Sequence, residues 1–334
     1  MPLIRDGHVL LALPLQSGLA QETLNLYQPQ KWKGRLTRSI YRGLIKCGIY
    51  RLLPKFTIVD GSHGLLSVLN EQLSVDSIGY LLGNPAGKHR NVIGVIDVEN
   101  KPCVVKAGYG ESADGVRREY ENMCRLSDRV ASIPSVMTSC CFGDDLEKGF
   151  AYVAEMVEGN SPRQMHQHRR VLALLHDWLD SGVTKKLGEL KPWMRMLSAM
   201  KEAEMAWEKV DQISSMEVVS PIAHGDFAPW NIKMKTGKTP CVIDWESAEE
   251  YGVPGWDAMH YQIQRWKLVD DVAESDIYSR LTEWVKSDEM MDYWERAGMA
   301  GNEDILLGSY LIYSSYVQGY GRKGLLEHWT ADRM

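Results

Sequence analysis

The spacing of apolar residues divides the chain into a β-rich part and a helical part. Between residues 76 and 155, short runs rich in β-branched residues are separated by turn-forming residues, a pattern typical of strands in a meander. One segment differs because its apolar residues recur every three or four positions, which predicts a helix. The predicted elements are strands at Ser77–Leu82, Asn91–Val98, Pro102–Lys106, 135–141 and 150–155, and a helix at Ala113–Leu126.

From about residue 161 onward, helical periodicity dominates the pattern. Periodic stretches occur at Arg169–Leu179, Met194–Val210, Asp270–Val285 and Asp304–Tyr320. We therefore predict an α+β protein of two lobes. The predicted domains are an N-terminal extension at 1–75, a small β-rich N-lobe at 76–158 and a mostly helical C-lobe at 159–334.

The extension contains a strongly basic segment. Residues 31–55 hold eight Lys or Arg and no Asp or Glu. In helical projection one face carries Lys31, Arg35, Arg38, Arg42 and Lys46, and another carries Trp32, Leu36, Ile40 and Leu44. The pattern predicts a basic amphipathic helix, which can lie on an anionic membrane or bind another anionic partner. Alternatively, its apolar face packs on the rest of the protein and its charges face water.

Composition narrows the class of protein. The chain has 334 residues, of which 44% are hydrophobic and 25% charged, with a net charge of -6, as in ordinary globular proteins. No apolar run reaches the roughly 18 residues of a membrane span. We expect a cytoplasmic protein, membrane-peripheral if the basic segment docks there. No nucleic-acid partner is expected, because no recognised binding module accompanies the basic segment.

The strongest chemical signal is the run His-Gly-Asp-Phe-Ala-Pro-Trp-Asn from His224 to Asn231, followed thirteen residues later by Asp244. Phosphoryl transfer to a hydroxyl needs a carboxylate that accepts a proton and oxygen ligands that hold Mg²⁺ on the nucleotide phosphates. The run supplies a carboxylate and then an amide, and Asp244 supplies the second carboxylate. Together with Asp244-Trp245-Glu246, it resembles the catalytic segment of the aminoglycoside phosphotransferase and choline kinase family, which has a protein-kinase-like fold.

The resemblance implies a role for each of these residues. Asp226 would be the catalytic base, and Asn231 and Asp244 would bind Mg²⁺. His224 would anchor the loop by hydrogen bonds. Asp257, in Pro254-Gly255-Trp256-Asp257, resembles the family's acid that steadies the same loop.

Other positions resemble nucleotide-binding parts of the family. Lys106, which follows the β-branched pair Val104-Val105, resembles the strand lysine that contacts nucleotide phosphates in the family. Glu119 resembles the helix acid that pairs with this lysine, and Glu121 competes for the role from another helix face. We expect residues 83–90 to cover the triphosphate.

The segment from Glu155 to Gly159 resembles the hinge between the two lobes of the family. Backbone N–H and C=O groups of such a hinge hydrogen-bond the adenine edge of the nucleotide. The resemblance therefore assigns Glu155, Met156 and Val157 to nucleotide binding.

The resemblance as a whole implies a small-molecule kinase. It would use Mg²⁺ to transfer the γ-phosphoryl group of ATP or GTP to a hydroxyl of a sugar, an aminoglycoside or an amino-alcohol. The alternative is a nucleotide-binding pseudokinase or scaffold that docks at a membrane or a polysaccharide-synthesis assembly. Binding alone requires no base, so the presence of Asp226 favours the kinase.

Overall fold

The computed structural model describes residues 2–5, 8–27, 29, 32–52, 55, 64–82, 91–143, 148–205, 207, 210–235 and 237–331. The chain forms two compact units, Met1–Asn160 and Ser161–Met334. The loop predicted at 83–90 lies outside the described residues. Within these ranges, no helix is long and apolar enough to cross a membrane.

The first unit is built on an antiparallel sheet of seven strands. They are β1 (Pro2–Arg5), β2 (His8–Ala12), β3 (Gly79–Leu82), β4 (Val92–Val98), β5 (Lys101–Tyr109), β6 (Val136–Gly143) and β7 (Lys148–Glu155). Their order across the sheet is β1-β2-β3-β4-β5-β7-β6. The strands predicted between residues 76 and 155 are thus confirmed. The first residues of the chain extend the same sheet by two strands.

The helices that the described part of this unit adds to the sheet are α1 (Ser17–Leu26), α2 (Trp32–Lys46), α3 (Leu65–Leu73) and α4 (Glu111–Leu126). One apolar cluster includes Leu69 of α3 and Ile96 of β4. A second joins β2, α1 and α2 through Leu11, Leu24 and Ile45. Burial of these side chains, at roughly 1.5–3 kcal/mol each, is the main force that holds the helices on the strands.

The basic amphipathic helix forms as α2, and its apolar face follows the packing alternative only in part, because Leu44 packs against the second apolar cluster. Arg38 and Arg42 point toward α1, where they donate hydrogen bonds to Asn25 Oδ1 at 3.1 and 3.2 Å. Leu36 and Ile40 are instead 55% and 54% exposed. The reason is that Ile45 occupies the second apolar cluster, and this fixes the rotation of α2 about its axis.

The second unit is mostly helical, as predicted. Its helices are α5 (Met165–Asp180), α6 (Lys191–Glu202), α7 (Val210–Ser214), α8 (Trp256–Leu268), α9 (Glu274–Trp284), α10 (Asp288–Ala297), α11 (Glu303–Ile312) and α12 (Lys323–Ala331). Two short antiparallel pairs interrupt them, β8 (Val183–Lys186) with β9 (Glu217–Ser220) and β10 (Ile232–Lys233) with β11 (Cys241–Val242). The β10–β11 pair lies inside the sequence motif.

Two predicted helices end early. The helix expected to reach Val210 stops at Glu202, and the one expected to reach Tyr320 is α-helical only to Ile312. A π-helical turn at Tyr313–Val317 continues the second helix. The apolar residues keep their helical spacing past Glu202 and past Ile312, so the spacing does not show where either helix ends. Single π-helical turns are frequent at functional sites, and this one leads into the segment described below.

Candidate active site

The motif loop is held to α8 through its backbone. The carboxylate of Asp257, in the first turn of α8, accepts hydrogen bonds from the N–H groups of His224 at 2.6 Å and Gly225 at 3.0 Å. Gly225 has φ of +81°, and a Cβ there would lie 2.4 Å from the carbonyl oxygen of Ser247. Only glycine fits this position, so the loop conformation is fixed by backbone contacts.

His224 joins the loop to the chain just before Asp244. The ring is fully buried. Its Nε2 lies 3.0 Å from the carbonyl oxygen of Ile243 and therefore donates, while Nδ1 accepts from the N–H of Asp226 at 3.3 Å. Both ring nitrogens are used within the protein, as in a histidine that anchors a loop.

Asn231 orients the carboxylate of Asp226. Its Nδ2 donates to the carbonyl oxygen of Asp226 at 2.9 Å and to the Asp226 Oδ2 at 3.0 Å. These two bonds fix which end of the Asn231 amide faces Asp226. The amide oxygen is left for another partner, and oxygen is the donor that Mg²⁺ prefers.

Strand pairing places Asn231 beside Asp244. Asn231 directly precedes β10, and its carbonyl oxygen accepts from the N–H of Ile243 at 2.9 Å, one residue before Asp244. Asp244 itself has φ of +73°, a left-handed conformation that is uncommon for residues other than glycine. Such strain persists where the surrounding structure requires it, and it clusters at functional sites.

A buried histidine of α8 also contacts Asp226. His260 is 1% exposed, and its Nε2 lies 3.1 Å from the Asp226 Oδ1. The hydroxyl of Tyr310 lies 3.1 Å from Nδ1 and donates to it, which leaves the ring proton on Nε2. Burial lowers the pKa of His260 to about 4. The ring is therefore neutral at pH 7, and its contact with Asp226 is a hydrogen bond from Nε2–H.

The segment that follows α11 reaches the same carboxylate. The hydroxyl of Tyr320 donates to the Asp226 Oδ1 at 2.8 Å. Gln318 Nε2 donates to the carbonyl oxygen of Gly225 at 2.6 Å. Tyr320 lies between Gly319 and Gly321, which both have positive φ, a conformation that few residues other than glycine adopt.

The hydrogen bonds to Asp226 determine its charge. Burial raises the pKa of Asp226, but hydrogen bonds from His260 and Tyr320 outweigh this effect and hold the pKa well below its ordinary value. The carboxylate is therefore ionised at neutral pH. Its Oδ1 accepts two hydrogen bonds, from His260 and Tyr320, which fills both lone pairs of that oxygen.

A buried cation lies close to these aromatic side chains. Arg322 is 4% exposed, and its guanidinium carbon lies 5.1 Å from the ring centre of Tyr310 and 5.3 Å from that of Tyr320. Burial lowers the pKa of Arg322 to about 9, so the side chain is still protonated at pH 7. A nearby positive charge offsets part of the cost of burying the Asp226 carboxylate.

The first unit contains the predicted lysine–glutamate pair. Lys106 Nζ on β5 lies 2.5 Å from Glu119 Oε2 on α4, with side chains 10% and 2% exposed. Glu121, the competing acid, is on the exposed side of α4. A strand lysine that merely faced solvent would not be buried with a carboxylate, since burial of either charge alone is costly.

The predicted hinge residues lie at the end of the first unit. Glu155 ends β7, and its N–H donates to the carbonyl oxygen of Ser135 at 2.9 Å. Met156 and Val157 follow without regular secondary structure and are half-buried. Their role in binding a nucleotide base stays a prediction.

The residues present fit a Mg²⁺ ion that arrives with a nucleotide. Across the described ranges, no three His, Cys, Asp or Glu side chains converge into a metal-binding group. Mg²⁺ does not need such a group, because it keeps several waters and takes one or two protein oxygens besides the phosphates. The amide oxygen of Asn231 and the carboxylate of Asp244 are a donor set of this kind.

The residues predicted from the sequence do not include His260, Tyr310, Tyr320 and Arg322. One signal was available for His260, which is three residues after Asp257 and therefore on the same face of α8. The Gly-Tyr-Gly run around Tyr320 also marks a break in helical structure. Neither signal predicts the contact with Asp226, because Tyr320 and Asp226 are 94 positions apart in the sequence.

These features define an α+β protein whose second unit carries a segment that resembles the catalytic segment of small-molecule kinases. No protein-family model matches the chain, and no curated protein does. Among solved structures, one that it matches is a putative fructosamine-3-kinase from Haemophilus somnus 129PT, with 14% identity, coverage of 80% of this chain and 96% of that one, and a TM-score of 0.45.

Two further matches are phosphotransferases. One is aminoglycoside phosphotransferase APH(3'')-Id from Streptomyces rimosus, with 13% identity, coverage of 70% of this chain and 91% of that one, and a TM-score of 0.42. The other is a spectinomycin phosphotransferase in complex with ADP and spectinomycin, with 11% identity, coverage of 80% and 93%, and a TM-score of 0.42. At these values the matches carry no argument about chemistry, which rests on the residues described above.

Proposed function

We propose that this protein is a small-molecule kinase of the aminoglycoside phosphotransferase and choline kinase type. It would transfer the γ-phosphoryl group of ATP or GTP to a hydroxyl of a small acceptor such as a sugar, an aminoglycoside or an amino-alcohol. The observation that carries the proposal is the ionised Asp226 carboxylate, which Asn231 orients beside Asp244. A protein that only bound nucleotide would need no oriented base.

In the proposed reaction Asp226 accepts the proton of the acceptor hydroxyl. A bond forms between the acceptor oxygen and the γ-phosphorus, the bond from that phosphorus to the bridging oxygen breaks, and a nucleoside diphosphate leaves. Asn231 and Asp244 would hold Mg²⁺, which neutralises phosphate charge. From the family resemblance, Lys106, held by Glu119, would contact the nucleotide phosphates, and the hinge residues would contact the base.

A thermal-shift measurement on the full chain tests the nucleotide site without knowledge of the acceptor. We expect ATP or GTP with Mg²⁺ to raise the unfolding midpoint, because a ligand at 100 times its Kd adds about 2.7 kcal/mol of stability. The same nucleotides without Mg²⁺ should give a smaller rise. No shift with either nucleotide would contradict the proposal. A Mg²⁺-dependent shift would justify screening sugars, aminoglycosides and amino-alcohols for phosphorylation.

Substitution of Tyr320 tests whether its hydrogen bond to Asp226 competes with the reacting hydroxyl or water. The Tyr320 hydroxyl takes a lone pair of Asp226 Oδ1 that a reacting hydroxyl or water would otherwise use. We expect Tyr320→Phe to raise slow nucleotide hydrolysis in the absence of acceptor roughly five-fold, equivalent to the about 1 kcal/mol of one net hydrogen bond. The measurement is release of inorganic phosphate from ATP or GTP with Mg²⁺.

Tyr316→Phe is the matched control, because Tyr316 precedes the same segment and is 43% exposed. Its hydrolysis rate should equal that of the wild type. A lower rate in Tyr320→Phe would mean that Tyr320 positions the carboxylate and does not compete with the acceptor.

A further inference from the structure

The outer face of α2 combines apolar and basic side chains. Leu36 and Ile40, one turn apart, are 55% and 54% exposed. Gly43 and Cys47 extend the same stripe by further turns and are also exposed. We call this stripe, together with the basic residues beside it, the α2 face.

Basic residues border the stripe on both sides. By the 100° rotation per residue of an α-helix, Lys33 falls on one side of Leu36 and Ile40, and Arg35 and Lys46 fall on the other. All three basic side chains are exposed. No Asp or Glu occurs anywhere in residues 31–55, so the charged residues of α2 are all basic.

The exposed stripe does not follow from poor packing of α2. The opposite side of the helix is tied to α1 through Arg38 and Arg42, and it places Ile45 in an apolar cluster. Just beyond α2, Leu52 is 85% exposed and Ile49 is 46% exposed. The apolar exposure thus continues past the end of the helix.

The chemistry of this face selects among partners. A second copy of the chain would bring two basic helices together, with no acid in residues 31–55 of either copy to offset their charge. A nucleic acid would satisfy the basic residues but not the apolar centre. An anionic bilayer satisfies both, because the apolar side chains enter the acyl boundary and the basic ones remain among the headgroups.

We propose that the α2 face docks the protein on an anionic lipid surface, with the helix lying in the interfacial plane. This inference does not depend on the proposed kinase activity. Each exposed Lys or Arg near such a surface raises binding roughly five-fold, and the exposed apolar side chains add to this.

The test is flotation of the full chain with vesicles of phosphatidylcholine and phosphatidylglycerol at a 70:30 ratio, in about 0.1 M salt. The wild type should float with these vesicles and not with pure phosphatidylcholine. Leu36→Ser/Ile40→Ser should lower the partition coefficient about ten-fold or more. Arg35→Gln/Lys46→Gln should lower it roughly 25-fold, the product of two five-fold effects.

Met194→Ser/Leu268→Ser is the matched control. These side chains are 46% and 48% exposed in the second unit, and their double variant should float as the wild type does. Wild-type protein that stays unbound, or equal binding by Leu36→Ser/Ile40→Ser, would overturn the proposal. Binding to soluble polyglutamate but not to the vesicles would assign the face to an acidic polypeptide and would also overturn it.

Discussion

Replacement of Asp226 by asparagine is expected to lower turnover by about two to four orders of magnitude, the range for loss of a general base. The amide keeps an oxygen that accepts hydrogen bonds from His260 and Tyr320, but it cannot take up the acceptor proton. Nucleotide affinity should change little, because Asp226 is proposed to contact the acceptor. Initial rates and nucleotide-induced thermal shifts measure the two effects separately.

Asp211→Asn is a suitable control for this variant, since Asp211 is an exposed acid of the second unit. It should have wild-type turnover. Despite burial, hydrogen bonds from His260 and Tyr320 hold the pKa of Asp226 below its ordinary value, so titration of Asp226 should produce no acidic limb in the rate profile of the wild type above about pH 5. Undiminished turnover in Asp226→Asn would remove Asp226 from the role of base.

Replacement of Asp244 by asparagine is expected to abolish most of the Mg²⁺-dependent stabilisation by nucleotide. If affinity falls about 100-fold, stabilisation at 100 times the wild-type Kd falls from about 2.7 kcal/mol to a few tenths. Turnover should fall as well, because Mg²⁺ held by Asp244 would neutralise phosphate charge in the proposed reaction. Asparagine is preferred to alanine here because Asp244 has φ of +73°, and asparagine tolerates that conformation.

The unliganded stability of Asp244→Asn separates loss of a ligand from loss of the fold. Its unfolding midpoint without nucleotide should be close to that of the wild type. Asp244→Ala should be less stable in the same measurement, since alanine adopts the left-handed region less readily. Retention of the full Mg²⁺-dependent shift in Asp244→Asn would exclude Asp244 as the metal ligand.

The sequence by itself determined the class of fold and the order of the residues in the segment from His224 to Asp244. Strand and helix periods differ, so the change from a β-rich to a helical part is visible in single stretches of chain. The spacing of Asp226, Asn231 and Asp244 is likewise local, because one loop and one short strand pair carry all three. The choice of Glu119 as the partner of Lys106 came from the family resemblance, and Lys106 Nζ lies 2.5 Å from Glu119 Oε2.

The tertiary structure alone decided what surrounds Asp226 and which face of α2 meets solvent. His260 and Tyr320 reach the carboxylate from α8 and from the segment after α11, contacts that depend on how distant elements pack. The exposure of Leu36 and Ile40 depends on the rotation of α2, which Ile45 and the contacts to Asn25 fix. An amphipathic pattern shows that a helix has two faces. Which face is buried depends on the neighbouring elements that each face can pack against.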